Sequence, residues 1–438
     1  MATKKTPVAP AEPRAWGTQK SQHDRNRISG ADGIRALAAL GVIGHHLFQK
    51  LAAGEQAQWL QDVHAIVLKG AIGVSVFFVL SGMLLSMPFW MAFFEKRAYP
   101  RIGHYIKRRA QRIVPGFYVA LLVSFWVGGL YFDYSNGQVL DPVRRLIAGL
   151  TFTSGLHYET LFPTEVNGPL WSISFEVISY VLMPLIMIGL FVIGRRTRAR
   201  WVGWTYWLVA LGAVLLANRW LVSAVQLSDE GRGWEYGLVG GAKYWMPGYN
   251  PLGFFAHFAI GILVAAFIAQ WRVFHGSRRS WWFDLGALVP AVAIAVALWL
   301  IRYPAEPGQD YSLDQQPYYY PTFAVLVGVL LACLAYSKLL GKLFDNPFFA
   351  YTAKVSFGLY IWHHLILFLV EREVMPNYWY GGLSDPYQFL VVSLLVLGAS
   401  YAVAAASWAF IERPVLEERW RSLSFLRQRP SDGSRVDG

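Results

Sequence analysis

Apolar runs of about 20 residues, the length that crosses a ~30 Å hydrocarbon core, recur ten times along this chain. They fall near residues 33–53, 66–92, 113–132, 170–194, 201–218, 251–271, 281–301, 318–340, 354–371 and 387–411. Backbone polar groups in lipid must be satisfied within the segment, so such runs predict helices. The pattern therefore predicts an all-α, polytopic integral-membrane bundle of about ten transmembrane helices. Residues 1–30 are polar and rich in Pro and Ala, without the apolar core of a signal peptide, and read as a flexible tail. Residues 31–414 form the membrane domain, and 415–438 form a second, basic tail. No internal repeat and no attached soluble catalytic domain is visible.

Composition agrees with that reading: 55% of residues are hydrophobic, 16% aromatic and only 15% charged. The single cysteine, Cys333, lies in an apolar run, which argues against a disulfide framework, a thiol metal cluster and redox chemistry. The net charge of +12 would suggest nucleic acid in a soluble protein. Here its distribution gives another answer. Assigned to alternate sides of the ten runs, 30 of the 39 Lys and Arg residues fall on one side and 9 on the other. By the positive-inside rule the basic side is cytoplasmic, and both termini are expected there. The charge is a topology signal, and no nucleic-acid partner is implied. The longest segments of the other side contain "YFDYSNGQ", "SDEGRGWEYG" and "YPAEPGQDYSLDQQPYYY". Aromatics, carboxylates and amides together suit a sugar, and the Trp and Tyr residues equally suit interfacial aromatic belts.

Ionisable groups inside a span are costly and mark candidate chemistry. In "RALAALGVIGHH", Arg35 lies at the inner end of the first run, where a long side chain reaches the interface cheaply. The eleven residues to His46 rise roughly 16 Å, past the bilayer middle. The fourth run opens with "NGPLWSISFEVISYVLMP" from the opposite side and puts Glu176 at a similar depth. A histidine is a natural partner for such a carboxylate, which would set the ring's tautomer. The ninth run, "KVSFGLYIWHHLILFLV", brings Tyr360, His363 and His364 near mid-depth. Three helices thus carry titratable groups to one level.

"HYIKRRAQRIVP" places Lys107, Arg108, Arg109 and Arg112 at the inner end of the third run. Arg109 and Arg112 share a helix face at i, i+3 and with Arg35 could bind phosphates bidentately, although a topology signal or anionic lipid explains a basic run as well. In "VSVFFVLSGMLLS", Ser81 and Gly82 would let a ligand or a backbone approach closely; a small-residue helix contact is the equal alternative. Metal binding fits poorly and no metal is expected. The doublets His45/His46 and His363/His364 diverge by about 100° on a helix, so one member of each faces a given site.

In this order, the motifs resemble the acyltransferase-3 family of integral-membrane acyltransferases. Its Arg, ten residues, His signature matches Arg35 to His46 in "DGIRALAALGVIGHH". "FFVLSG", the Arg109/Arg112 pair in "RRAQRIVP", "LWSISFE" with Glu176, "SFGLYIWH" with His363, and "IERP" at Glu412 to Pro414 follow. Two positions depart from the common pattern: Val177 stands where a second acidic residue is frequent, and Met83 where Phe is usual in "SGF".

The resemblance implies transfer of an acyl group, most often acetyl from acetyl-CoA, to a hydroxyl of a cell-surface or periplasmic carbohydrate at a bacterial cytoplasmic membrane. Acyl-CoA would be the donor substrate, and a glycan acceptor and membrane lipids the partners. On that expectation Arg35, Arg109 and Arg112 take the CoA phosphates, with Ser81 and Gly82 along the donor path. His46 is general base or transient acyl carrier, Glu176 orients it, and His363 or Tyr360 donates to the thioester oxyanion. Some relatives carry a further hydrolase-like domain. Here the bundle is expected to complete the transfer or hand the acyl group to a separate protein. Three alternatives stay open: a small-molecule acceptor such as a macrolide, a proton-coupled solute transporter, and a lipid-binding scaffold. The transporter lacks its usual paired broken helices, and the scaffold leaves His46 and Glu176 at one depth unexplained.

Overall fold

The computed structural model describes residues 28–417 apart from 55, 136–138, 195–198, 226–241, 304–311, 314–315 and 375–381. Most of both expected tails, and much of the aromatic segments around 133–138, 228–237 and 303–317, lie outside the described residues. Ten principal helices follow in order: α1 Ala31–Phe48, α2 Gly73–Phe94, α3 Ile102–Tyr131, α4 Trp171–Ile193, α5 Arg200–Ala224, α6 Pro251–His275, α7 Trp281–Leu300, α8 Thr322–Leu334, α9 Pro347–Glu373 and α10 Pro386–Ser407. Each overlaps one of the ten apolar runs. Among the described residues there is no β-strand, and eight helical stretches are long and apolar enough to cross a membrane. The other two are α1, which carries Asp32, Arg35, His45 and His46, and α8, which has 13 residues against the ~20 of a full span.

Local chemistry sets several helix starts. Asn250, Asn346 and Asp385 each cap a helix whose first residue is proline, their side chains accepting from Leu252 and Gly253, Phe349 and Tyr387. At the centre α2 packs along α6, while α9 packs between α1 and α10. The α2–α6 crossing is close because glycines face each other's backbone. A Cβ on Gly82 would lie 2.0 Å from the Phe258 carbonyl, and one on Gly261 would lie 2.0 Å from that of Val79. Helices α5 and α7, by contrast, turn most of their apolar surface outward, as lipid-facing spans do.

Two devices hold the elements around the site. The segment before α4 is stitched to α9: buried Asn167 donates to the Ile361 carbonyl (2.9 Å) and to Ser124 of α3 (3.0 Å), and His364 donates to the Val166 carbonyl (3.2 Å). At its far end α10 passes into a π-helical turn, Trp408–Glu412, which brings Glu412 against α3.

Candidate active site

A cavity of about 880 Å³ opens at the end of the bundle where Asp32, Arg35, Leu416 and Glu417 come together, and it is lined by α1, α2, α3, α4, α9 and the turn after α10. Its mouth is basic, with Arg35, His104, Lys107, Arg108, Arg109, Arg112 and Lys354 in the lining. Its inner part is formed by Phe77, Ser81, Ser172, Glu176 and Tyr360. The structure thus brings Arg35, Arg109, Arg112, Ser81, Glu176 and Tyr360 into one space. Among the described residues no carboxylate lies within ion-pair distance of Arg35 or Arg109. The six Lys and Arg residues of the lining outnumber the carboxylates of Asp32, Glu176 and Glu417, which suits a polyanionic ligand.

Arg112 differs. Its Nη1 donates to Glu412 at 3.0 Å, its guanidinium lies over Trp408, and Glu412 is fully buried and also accepts from Ser407 at 3.3 Å. Much of the charge of Arg112 is already matched, so phosphate binding would fall mainly to Arg35 and Arg109. The "IERP" motif thereby acquires a structural reason, the docking of α10 on α3. Breaking a buried pair by removing one partner leaves an uncompensated charge and costs roughly 3–5 kcal/mol. Arg112→Met should therefore lower stability by about 3 kcal/mol, and Arg112→Met with Glu412→Leu should recover most of it. Equilibrium unfolding in detergent checks this, and a double variant as unstable as the single one would contradict it.

Three expectations change. Glu176 does not pair with His46: its carboxylate accepts from Ser81 at 3.0 Å and from the Tyr180 hydroxyl. Tyr180 is one turn further along the same helix and Ser81 projects from α2, so two hydroxyls take the position expected of the imidazole. Gly82 does not line the cavity; it is used by the α2–α6 crossing, and Ser81 alone of the two faces that space. Neutral His363 has no N–H to offer an oxyanion. Its Nδ1 faces the carbonyls of Leu359 (3.0 Å) and Tyr360 (2.9 Å), which can only accept, so its single N–H is used there.

The histidines form a cluster where α1 crosses α9. The His46 ring centroid lies 4.9 Å from that of His45, 5.1 Å from His363 and 5.0 Å from His364. Both members of the second doublet thus touch His46, because its ring inserts between them. His46 Nδ1 lies 3.0 Å from the Val42 carbonyl and 3.1 Å from His363 Nε2. The same rule places a proton on Nδ1 of His45, facing Leu68, and of His364, facing Val166. The cavity stops just short of this cluster. Tyr360 lines it, and His363 follows one turn later, about 4.5 Å further along α9.

Ser172 was not singled out from the sequence, although it sits in "LWSISFE" four residues before Glu176. It lines the cavity, and its Oγ lies 2.6 Å from the Tyr360 hydroxyl, which also donates to the Pro169 carbonyl at 3.0 Å. A small hydroxyl one turn above an intramembrane carboxylate was the available signal.

Comparison with known proteins gives the family. The acyltransferase-3 family, described as an acyltransferase domain, matches residues 28–405. The O-acetyltransferase OatA of Staphylococcus aureus strain MRSA252 is 23% identical over 419 residues, covering 93% of this chain and 60% of that protein. OatA of strain NCTC 8325 gives the same identity and coverage. A provisionally named O-acetyltransferase of strain COL is 22% identical over 413 residues, covering 92% of this chain and 59% of its own. The chain thus spans about 60% of the length of these relatives. No solved structure gives a significant match. From Arg35 and His46 on α1 to the Tyr360 and His363 turn of α9, the site lies inside the matched region, and the chain belongs to the acyltransferase-3 family.

Proposed function

We propose that the protein is a membrane O-acetyltransferase that takes acetyl-CoA into the basic cavity and transfers the acetyl group to a hydroxyl of a cell-envelope carbohydrate. The observation that carries this is the cavity itself, with unpaired Arg35 and Arg109 at its mouth and Tyr360 at its inner end, one helical turn from the His46–His363 pair. CoA is anionic at its nucleotide end and thin along its pantetheine arm, which matches a basic mouth leading to an inner part lined by Phe77, Ser81, Ser172 and Tyr360. The names of the relatives supply the acetyl group and the oxygen acceptor.

On this reading the acceptor meets His46 from the side opposite the mouth. His46 Nε2 takes the hydroxyl proton while the hydroxyl oxygen attacks the thioester carbonyl. The C–S bond then breaks, and the CoA thiolate takes the proton from His46. An ester and free CoA-SH result, with no proton gained or lost. General base assistance of this kind is typically worth 10²–10⁴ in rate. The Tyr360 and Ser172 hydroxyls line the inner end of the cavity, where the Tyr360 O–H is committed to the Pro169 carbonyl in the resting site.

The test is purified protein in lipid with labelled acetyl-CoA and fractionated envelope glycans. Alkali-labile label should appear in a carbohydrate fraction. With Arg109→Ala, KM for acetyl-CoA should rise roughly tenfold or more with a smaller fall in kcat, since a charge-assisted hydrogen bond contributes about 1.5–3 kcal/mol. Label confined to lipid or small molecules would overturn the carbohydrate assignment, and an unchanged KM would remove Arg109 from the donor site.

A further inference from the structure

The hydrogen bonds around His46 fix more than its location. Val42 O can only accept, so the proton of neutral His46 sits on Nδ1, 3.0 Å away. The His363 proton is likewise on Nδ1, between the Leu359 and Tyr360 carbonyls at 3.0 and 2.9 Å. His363 Nε2 therefore carries a lone pair, and it points at the His46 Nδ1–H from 3.1 Å. The opposite assignment would set the lone pair of His46 Nδ1 against Val42 O and that of His363 Nδ1 against two carbonyls. Three repulsive contacts would replace three hydrogen bonds.

We propose that His363 is a positioning residue: by accepting the Nδ1–H of His46 it holds that ring in the tautomer and orientation that leave Nε2 as the reacting nitrogen. The proposal rests on the acetyl-transfer reading and assigns His363 a part different from oxyanion donor. Among the described residues His46 Nε2 has no hydrogen-bond partner, so the nitrogen left with the lone pair is not already engaged by the protein. The orienting chain is fixed at its far end by backbone, since the carbonyls that hold His363 belong to α9 itself. A tautomer set by the second nitrogen's partner is the usual way a catalytic imidazole is prepared.

Glutamine and asparagine separate the two nitrogens of His363. Glutamine Oε1 can reach the position of Nε2 and accept from His46, whereas asparagine reaches only as far as Nδ1. Full-length His363→Gln, His363→Asn and His363→Leu should be compared with wild type in acetyl transfer and in 15N spectra of labelled histidine, the His46 signals being assigned by their loss in His46→Gln. His363→Gln should keep kcat within about fivefold, and the Asn and Leu variants should lose on the order of 10²-fold, all with KM for acetyl-CoA changed less than about threefold. His46 should carry its proton on Nδ1 in wild type and His363→Gln, and on Nε2 in part of the population in His363→Leu. Equal loss in the Gln and Asn variants, full activity in the Leu variant, or an Nε2 proton on His46 in wild type would each overturn the proposal. The spectra need no turnover, so a protein that transfers no acetyl group would refute the functional reading while the tautomer result still decides this one.

Discussion

Replacing His46 with alanine is expected to reduce acetyl transfer on the order of 10³-fold or more without loss of folded protein. The ring is partly buried and bonds to one carbonyl of its own helix and to His363. Its removal leaves His363 Nε2 without that donor, a loss of about 1–3 kcal/mol that a bundle this size tolerates. His45→Ala is the matched control. That side chain is tied to the Leu68 carbonyl and to Gln49 and makes no hydrogen bond to His46 or His363, and its loss should change the rate less than about threefold. Equal loss in both variants, or normal activity in His46→Ala, would remove His46 from the chemistry.

The second large effect is one of sidedness. Sealed vesicles should use acetyl-CoA only when it is supplied at the face where the cavity opens, and should acetylate acceptor only at the opposite face. The cavity mouth gathers Arg35, Arg109 and the chain's last described residues, whereas the His46–His363 pair lies beyond the inner end at Tyr360. A CoA molecule is too highly charged to cross lipid unaided, so on the proposed reading the protein itself joins the two compartments. Right-side-out and inside-out vesicles given external labelled acetyl-CoA, with a detergent-opened control, should differ in an all-or-none manner. Equal labelling in both intact orientations would rule out vectorial transfer. Acceptor modified at the mouth side alone would indicate a small-molecule acceptor.

Much of the candidate site's membership was legible because ionisable residues inside apolar runs stand out. Arg35 and His46 on α1, Glu176 on α4 and Tyr360 and His363 on α9 are each marked by a polar group in an otherwise apolar run. Partners were not legible, and the case of Glu176 shows why. The reading that paired it with His46 counted depth within each apolar run separately. In the fold Gly73 of α2 meets Ala38 of α1, so Ser81 and the Glu176 it bonds lie toward Arg35, away from His46. Ser81 and Tyr180 are polar but uncharged, so nothing in the sequence marked them as the groups that the carboxylate would meet. Arg112 is similar. Its spacing from Arg109 suggested a shared phosphate, while its partner Glu412, 300 positions away, is delivered by a π-helical turn that no residue pattern announced.

The sequence by itself determined the all-α class and the ten helices, because hydrocarbon accepts only long apolar segments that satisfy their own backbone. Only the tertiary structure decided which face of each helix meets which neighbour. A helix such as α2, apolar around its whole circumference, has no stripe from which its orientation can be read. Its rotation is set instead by backbone contact at Gly82 and Gly261, which turns Ser81 toward Glu176 and the cavity. The choice of nitrogen on His46 was decided in the same way, by carbonyls of α1 and α9 whose positions exist only once the two helices have crossed.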